Sequence, residues 1–325
     1  VRNTSFDMTS GRGTGLMFQV YNDYVTDRVR DEDDYVVENC TFNNLRVLGS
    51  DGGATSSFNC NQKIINCSVN NCIAEDNAGA FYMETFGDSC TEFNFILKND
   101  TINGNEGLND FGGAITVLPF NTTTVKTEIN DCIFTNNASK TPSGDADGRG
   151  GAIYVQGNGG TVIIENSRFD ENLARFGGAV RVQGEEGTVS VTNCQFNENI
   201  GGSGGGISSF GTNVFTIEES TFSKNIAEAG SGLLIFGNSG VTLRNSKFIE
   251  NGNSTDSYRG AFTGFIEGGP GIVVDSCEFS ENIIGDNASF LSAGGAIYLF
   301  GASTEALPLA ITNTDFQNNA TLDGS

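Results

Sequence analysis

Apolar residues in this chain fall in short alternating runs rather than at helical spacing. Segments such as Gly150–Val155 (GGAIYV) and Thr161–Glu165 (TVIIE) have the period-two pattern of strands. The pattern then recurs. Aligned on one aromatic position, it is held by Phe6, Phe42, Val69, Ile102, Phe134, Phe169, Phe196, Phe222, Phe248, Phe279 and Phe316, at intervals of 26 to 37 residues. Three residues later stands Asn105, Asn137, Asn172, Asn199, Asn225, Asn251, Asn282 or Asn319, while Leu45 and Cys72 replace the Asn in two early repeats. Three residues earlier runs a second Asn column: Asn3, Asn39, Asn66, Asn99, Asn166, Asn193, Asn245 and Asn313. After each F-x-x-N comes a pair of small residues and an apolar strand, as in GGAITV, GGAVRV and GGAIYLF.

A solenoid of short parallel strands accounts for all of this. No single repeat can bury its apolar side alone, so repeats must stack. Stacking at about 4.8 Å sets equivalent residues one above another. The aromatic position then becomes a core column, Asn suits bends through its tolerance of left-handed backbone and its bonding amide, and Gly turns the chain where no side chain fits. The fold class expected is all-β, a solenoid of parallel strands with about eleven repeat units and three short strands per turn. Residues 1–325 are read as a single domain with insertion loops near 19–35, 138–149 and 283–293.

The pairing of F-x-x-N with GGA[IV], seen as FTNN…GGAIYV, FDEN…GGAVRV and FSEN…GGAIYLF, resembles the polymorphic outer-membrane protein repeats of chlamydial surface proteins. The resemblance covers essentially the whole chain. It implies the right-handed β-helix, and it implies surface display, adhesion and self-assembly rather than a reaction, because such repeats build a rod.

Composition narrows the partners. The formal charge of −23, from 17 basic and 40 acidic residues, excludes a nucleic-acid partner and disfavours an anionic membrane surface. No apolar run is long enough for a membrane-spanning helix, so direct membrane insertion is not expected. Catalysis is not expected either: β-helices carry pectate-lyase-like and polygalacturonase-like enzymes, but the His that such hydrolases use is missing from a chain with no His. The string Asn313–Thr314–Asp315 lies inside the repeat frame, and an acidic pair such as Asp33–Asp34 is expected by chance among so many acids. No cofactor and no metal site is expected; Asp145 and Asp147 before Gly148 form a partial calcium-loop pattern that lacks the distal Glu, and the run Asp27–Tyr35 reads as a solvated loop.

Five of the eight Cys, at 40, 67, 132, 194 and 277, stand two before the aromatic and so share its inward face. Cys40 and Cys67 occupy adjacent turns, within the separation a disulfide accepts, and are expected to pair, with Cys60–Cys90 a second candidate. Nine sequons occur. Asn121, Asn253 and Asn287 lie in loops; Asn3, Asn39, Asn66 and Asn99 fill one column in four consecutive turns; Asn137 and Asn319 sit on the F-x-x-N column, where burial should block modification.

These features together describe a secreted or cell-surface rod, glycosylated and non-enzymatic, with a carbohydrate-active enzyme on the same fold as the alternative. The segment VRNTSF at the start aligns with ITNTDF near the end, so the expected partner is the chain itself, stacked end to end, or a longer repeat chain; a surface glycan or protein ligand is a further expectation.

Overall fold

In the computed structural model, the residues described are 1–7, 16–19, 34–48, 51–58, 60–85, 92–109, 111–119, 124–141, 148–156, 159–237, 240–253, 255, 257–266, 271–285, 294–301 and 308–322. Among them every strand pairing is parallel and no helix occurs. The aromatic positions lie in one sheet of eleven three-residue strands whose register pairs each with the next, from Phe6 opposite Phe42 through to Phe279 opposite Phe316. Consecutive Phe rings stack 4.7–4.8 Å apart from Phe134 to Phe279, nearly coplanar at 1–5°. Val69 and Ile102 continue the column without rings and remain fully buried.

Two left-handed residues bracket each of these strands. The first is the outer Asn column, with φ near +50° at Asn39, Asn66, Asn99, Asn166, Asn193 and Asn245. The second lies two after the aromatic, at Asn44, Asn71, Asn136, Glu171, Glu198, Lys224, Glu250, Glu281 and Asn318. The F-x-x-N Asn therefore does not make the bend itself. It is the residue just inside it, and its amide joins the turns. Asn172 Nδ2 donates to Asn199 Oδ1 (2.9 Å) and to the Phe134 carbonyl (3.1 Å), and its backbone N–H donates to the same Asn199 oxygen (3.0 Å). The same set repeats without a break from Asn105 to Asn282, and all of these side chains are fully buried. Each amide from Asn137 to Asn282 makes four bonds, which is what a buried Asn requires, and Asn105, above Cys72, makes three.

A turn carries more than the three strands expected. After the ladder Asn a fourth, shorter strand forms in the first half of the solenoid, at Arg46–Val47, Ile73–Ala74, Glu106–Gly107, Ala138–Ser139, Leu173–Phe176 and Ile200–Ser203. Two of the expected insertions consequently begin in paired strand: Ala138–Ser139 lies in this sheet, and Ile283–Gly285 pairs with Ala320–Leu322. Residues 20–33, 142–147 and 286–293, the middles of the three insertions, lie outside the described residues. Elsewhere two expected strands fuse. Val180–Thr192 and Ile207–Glu218 each run through a bend, with a register shift between Glu185 and Thr188. One apolar cluster extends from Val37 to Phe279 along the interior.

Candidate functional site

The strand that follows each small-residue pair departs from simple alternation. Its middle residue points away from the core yet is buried: Tyr82, Thr116, Tyr154, Arg181, Ser208, Leu234 and Thr263 occupy one register column and all are at least nine-tenths covered. The glycine bend is the cause. Gly150, Gly177, Gly204 and Gly230 hold φ between +62° and +69° or +71°, and this fold of the chain lays the segment before the bend over the outer face of the strand after it. Phe111 stacks on Tyr154 at 4.9 Å, Arg149 lies 4.9 Å over the Phe111 ring, and Arg181 lies 5.6 Å from both the Phe176 and Phe210 rings. The result is a seam along the outside of the solenoid, with its own small apolar cluster of Ala78, Tyr82, Leu118 and Tyr154.

The seam is electrically divided. Towards the N-terminal turns, burial raises the carboxyl of Asp51, despite bonds from the Asn77 N–H (2.9 Å) and Nδ2 (2.8 Å), and burial also raises Glu84 beside Tyr82. In the middle turns it gathers Arg149, Arg175 and Arg181 among the rings. Arg181 is only 7% exposed. Its Nη1 donates to Ser208 Oγ at 2.6 Å, its Nε has no hydrogen-bond partner, and burial together with the charge of Arg149 lowers it to about 10, with Tyr154 acting the other way. Beside it begins an external column of rings, Phe210, Phe236, Phe265 and Phe300. Phe210 and Phe236 stack at 5.1 Å and remain 45% and 42% exposed.

Period-two alternation alone sets the middle residue of GGAIYV and GGAVRV outward and does not reveal the seam. A signal was present: Phe111, Arg149 and Phe176 directly precede their glycine pairs, and Tyr154 and Arg181 sit four or five residues on, so aromatic and Arg residues recur on both sides of the bend.

The sites expected from sequence fall elsewhere. Asn3, Asn39, Asn66 and Asn99 form an exposed column at the first left-handed bend, where Asn66 Nδ2 donates to Asn39 Oδ1 (3.2 Å) and Asn99 Nδ2 to Asn66 Oδ1 (3.1 Å). Neighbours in this column are one rung apart, about 4.8 Å, so glycans on adjacent turns would collide. Asn253 is half-buried, and its side-chain oxygen accepts from the Thr255 N–H (3.1 Å) and hydroxyl (3.3 Å), an Asx-turn within the sequon. Asn137 is fully buried in the amide ladder. Asn121, Asn287, Asp145 and Asp147 lie outside the described residues, and among the described residues no group of three His, Cys, Asp or Glu side chains is gathered as a metal site.

The expected disulfide is corrected. Cys40 and Cys67 do stack in adjacent turns, but both are free thiols; the second candidate pair includes Cys90, which lies outside the described residues. The reason is the role of the column. Each thiol donates along its own strand, Cys40 Sγ to the Glu38 carbonyl and Cys67 Sγ to the Ile65 carbonyl (both 3.3 Å), and Cys67 Sγ also accepts the Cys40 N–H at 3.4 Å. Ser167 and Ser220 make the same two kinds of bond, so Cys here stands in for a hydroxyl. Translation along the solenoid points the two sulfurs in the same direction rather than at each other.

A family model described as a right-handed β-helix region matches residues 121–322, more than half of the chain. The chain belongs to the right-handed β-helix family. Within that family, strands of successive turns pair in parallel around one axis, as the register of this chain does. No curated protein and no solved structure matches it.

Proposed function

We propose that this β-helix is a non-enzymatic rod of the cell surface or the extracellular space, structural or adhesive, of the polymorphic outer-membrane protein repeat type, and that it carries N-linked glycan. The observation that carries this reading is the pair of ladders: the core column at the aromatic position pairs from turn to turn along the described solenoid, and the amides join the turns from Asn105 to Asn319. Chain devoted to that repetition yields length and stiffness. Glycan belongs on Asn253 and on the exposed Asn column, and steric exclusion between rungs limits the column to non-adjacent turns. Glycopeptide mapping of secreted material expressed in a glycosylating host checks this: glycan on Asn39 and Asn66 of the same molecule would contradict it.

The rod reading includes end-to-end assembly. At the C-terminal turn Leu309, Ile311 and Phe316 are 52%, 43% and 45% exposed, and Val1 at the other end is 44% exposed. A turn of a second copy, with Val1–Phe6 in register over Ile311–Phe316, would continue the parallel pairing of the aromatic strands. Native mass measurement and electron microscopy of the 325-residue chain test it. Oligomers or filaments that Phe316→Asp dissolves are expected; monodisperse wild-type monomers at micromolar concentration would end the proposal.

One observation favours a second reading, a carbohydrate-active enzyme. Asp51 and Glu84 both have raised carboxyls on the seam, with Tyr82 between them electrostatically, and a raised carboxyl is what a general acid needs. Cleavage of acidic polysaccharide by the wild type, lost in Glu84→Gln, would establish that reading over the rod.

A further inference from the structure

A groove of about 370 Å³ opens to solvent one bend on from the seam, at the strands Glu92–Lys98, Thr124–Asn130 and Thr161–Glu165. Its polar lining is a single register column. Asn94 lies opposite Lys126 and Lys126 opposite Thr161, so an amide, an ammonium and a hydroxyl stand in three consecutive turns, about 4.8 Å apart. Phe93 and Val125, each one position earlier on its strand, add an apolar part. Glycine keeps the near end open: a Cβ on Gly160 would lie 2.8 Å from the Val125 carbonyl oxygen, and Gly159 turns the chain at φ +67°.

The column has bonding capacity to spare. The Asn94 backbone N–H donates to Asn61 Oδ1 (2.9 Å), while its side-chain amide has no hydrogen-bond partner among the described residues. Thr161 Oγ1 accepts from the Thr188 hydroxyl (3.3 Å), which leaves its own O–H to donate outward. Lys126 pairs with Glu128 on the same strand, so its charge is balanced, yet an ammonium has three donors.

We propose that this groove binds one pyranose ring of a neutral glycan. Ligand pockets begin at roughly 300 Å³, so there is room for a single ring and not for a folded chain. Charge excludes the ions: no carboxylate lines the groove to meet a cation, and Glu128 already balances the one ammonium that would meet an anion. An apolar ligand would leave the amide, hydroxyl and ammonium unpaired. A ring with hydroxyls on successive carbons meets all three along one line and sets its C–H groups against Phe93 and Val125. With no carboxylate among the lining residues to serve as acid, the groove holds a sugar and does not cleave it. The proposal rests on the rod reading only for its purpose, adhesion. Sugar binding is measured on the chain in any assembly state, so missing filaments would not touch it, and missing binding would leave the rod standing.

The test uses the whole chain, isotope-labelled, and the methyl glycosides of glucose, galactose and mannose. The Asn94 side-chain amide and the Gly160 backbone amide are followed by NMR as each sugar is added. A saturable shift of both with at least one of the three is expected, with half-saturation roughly in the millimolar range for so small a ligand. Asn94→Asp keeps the size and loses the donor; Thr161→Val keeps the shape and loses the hydroxyl. Each should weaken half-saturation, read on Gly160, by about five- to tenfold. No saturable shift with any of the three sugars, or an unchanged half-saturation in both variants, overturns the proposal. A shift with sodium glucuronate and none with the neutral glycosides overturns the neutral assignment. An equal response to open-chain sorbitol overturns the assignment to a ring. The first titration is read on the wild type, so the test survives a variant that fails to fold.

Discussion

Asp100 is the residue most at odds with its place. It occupies the column two before the aromatic, where other turns carry Cys, Ser or Thr, and it is 1% exposed. It accepts the Cys67 N–H at 2.7 Å and the Lys98 N–H at 3.0 Å, yet burial outweighs both bonds and raises its carboxyl to about 8. Because the folded value lies above that of an ordinary carboxyl, the fold favours the protonated form, and stability falls as pH rises from about 4 to about 8, then levels. Asp100→Ser should remove this slope and stabilise the chain at neutral pH; denaturant midpoints of both proteins at pH 5 and pH 8.5 check it, and parallel pH profiles would refute it. The thiols of the same column are also affected by burial. Cys67 and Cys194 are pushed up to about 12 and Cys132 higher still, as is Cys72 in the ladder column to about 12. Iodoacetamide at pH 8 should leave all four unlabelled in the native protein and modify all four after unfolding without reductant.

At the scale of the strand, close approach of turns sets the tolerances. A Cβ on Gly178 would lie 2.3 Å from the Gly205 carbonyl oxygen of the next turn and 2.7 Å from Ile200 backbone atoms. These are backbone contacts and cannot be relieved by a rotamer change. Gly178→Ala should therefore destabilise, although Ala ordinarily gains roughly 0.5–1 kcal/mol over Gly within regular structure, and a urea midpoint within error of wild type would refute the clash. The aromatic strands answer to volume instead. Phe196 is fully buried between Phe169 and Phe222, with ring centroids 4.8 and 4.7 Å away. Phe196→Ala should cost about 3–5 kcal/mol through the cavity left. The four-bond amide at the bend explains why Glu171, Glu198 and Lys224 can occupy left-handed positions that cost an ordinary residue 1–2 kcal/mol: the next residue is fixed by its neighbours above and below.

For the molecule as a whole, each turn touches only the turns beside it, and stability becomes a sum of nearest-neighbour terms. Interior turns have two neighbours and the outermost have one. Among the described residues Phe6 is only partly buried and stacks on Phe42, whereas Phe196 has a ring on each side. Phe6→Ala should thus cost well under half as much as Phe196→Ala. Hydrogen exchange should show the same gradient, slowest for amides of the strands around Phe169 to Phe248 and fastest at both ends; uniform protection from end to end would contradict the nearest-neighbour account.

Much of this architecture was legible without coordinates because translation along one axis makes each turn a copy of the last. Period, aromatic column and buried amides follow from repetition alone, and the register places every one of the eleven aromatic positions opposite its neighbour. The sequence also separated two Asn columns, but not their roles: only backbone geometry shows that one bends left-handed while the other sits inside the bend and carries the hydrogen bonds. The free thiols are another matter for tertiary structure. Spacing brings Cys40 and Cys67 to adjacent rungs, while the direction of each sulfur depends on the carbonyl it bonds. The seam was decided last and least locally. Whether an outward residue such as Arg181 meets water or rings depends on the angle of the bend before it and on Phe210 in the following turn. Alternation in a strand tells which side a residue takes; only the path of the rest of the chain determines what covers that side.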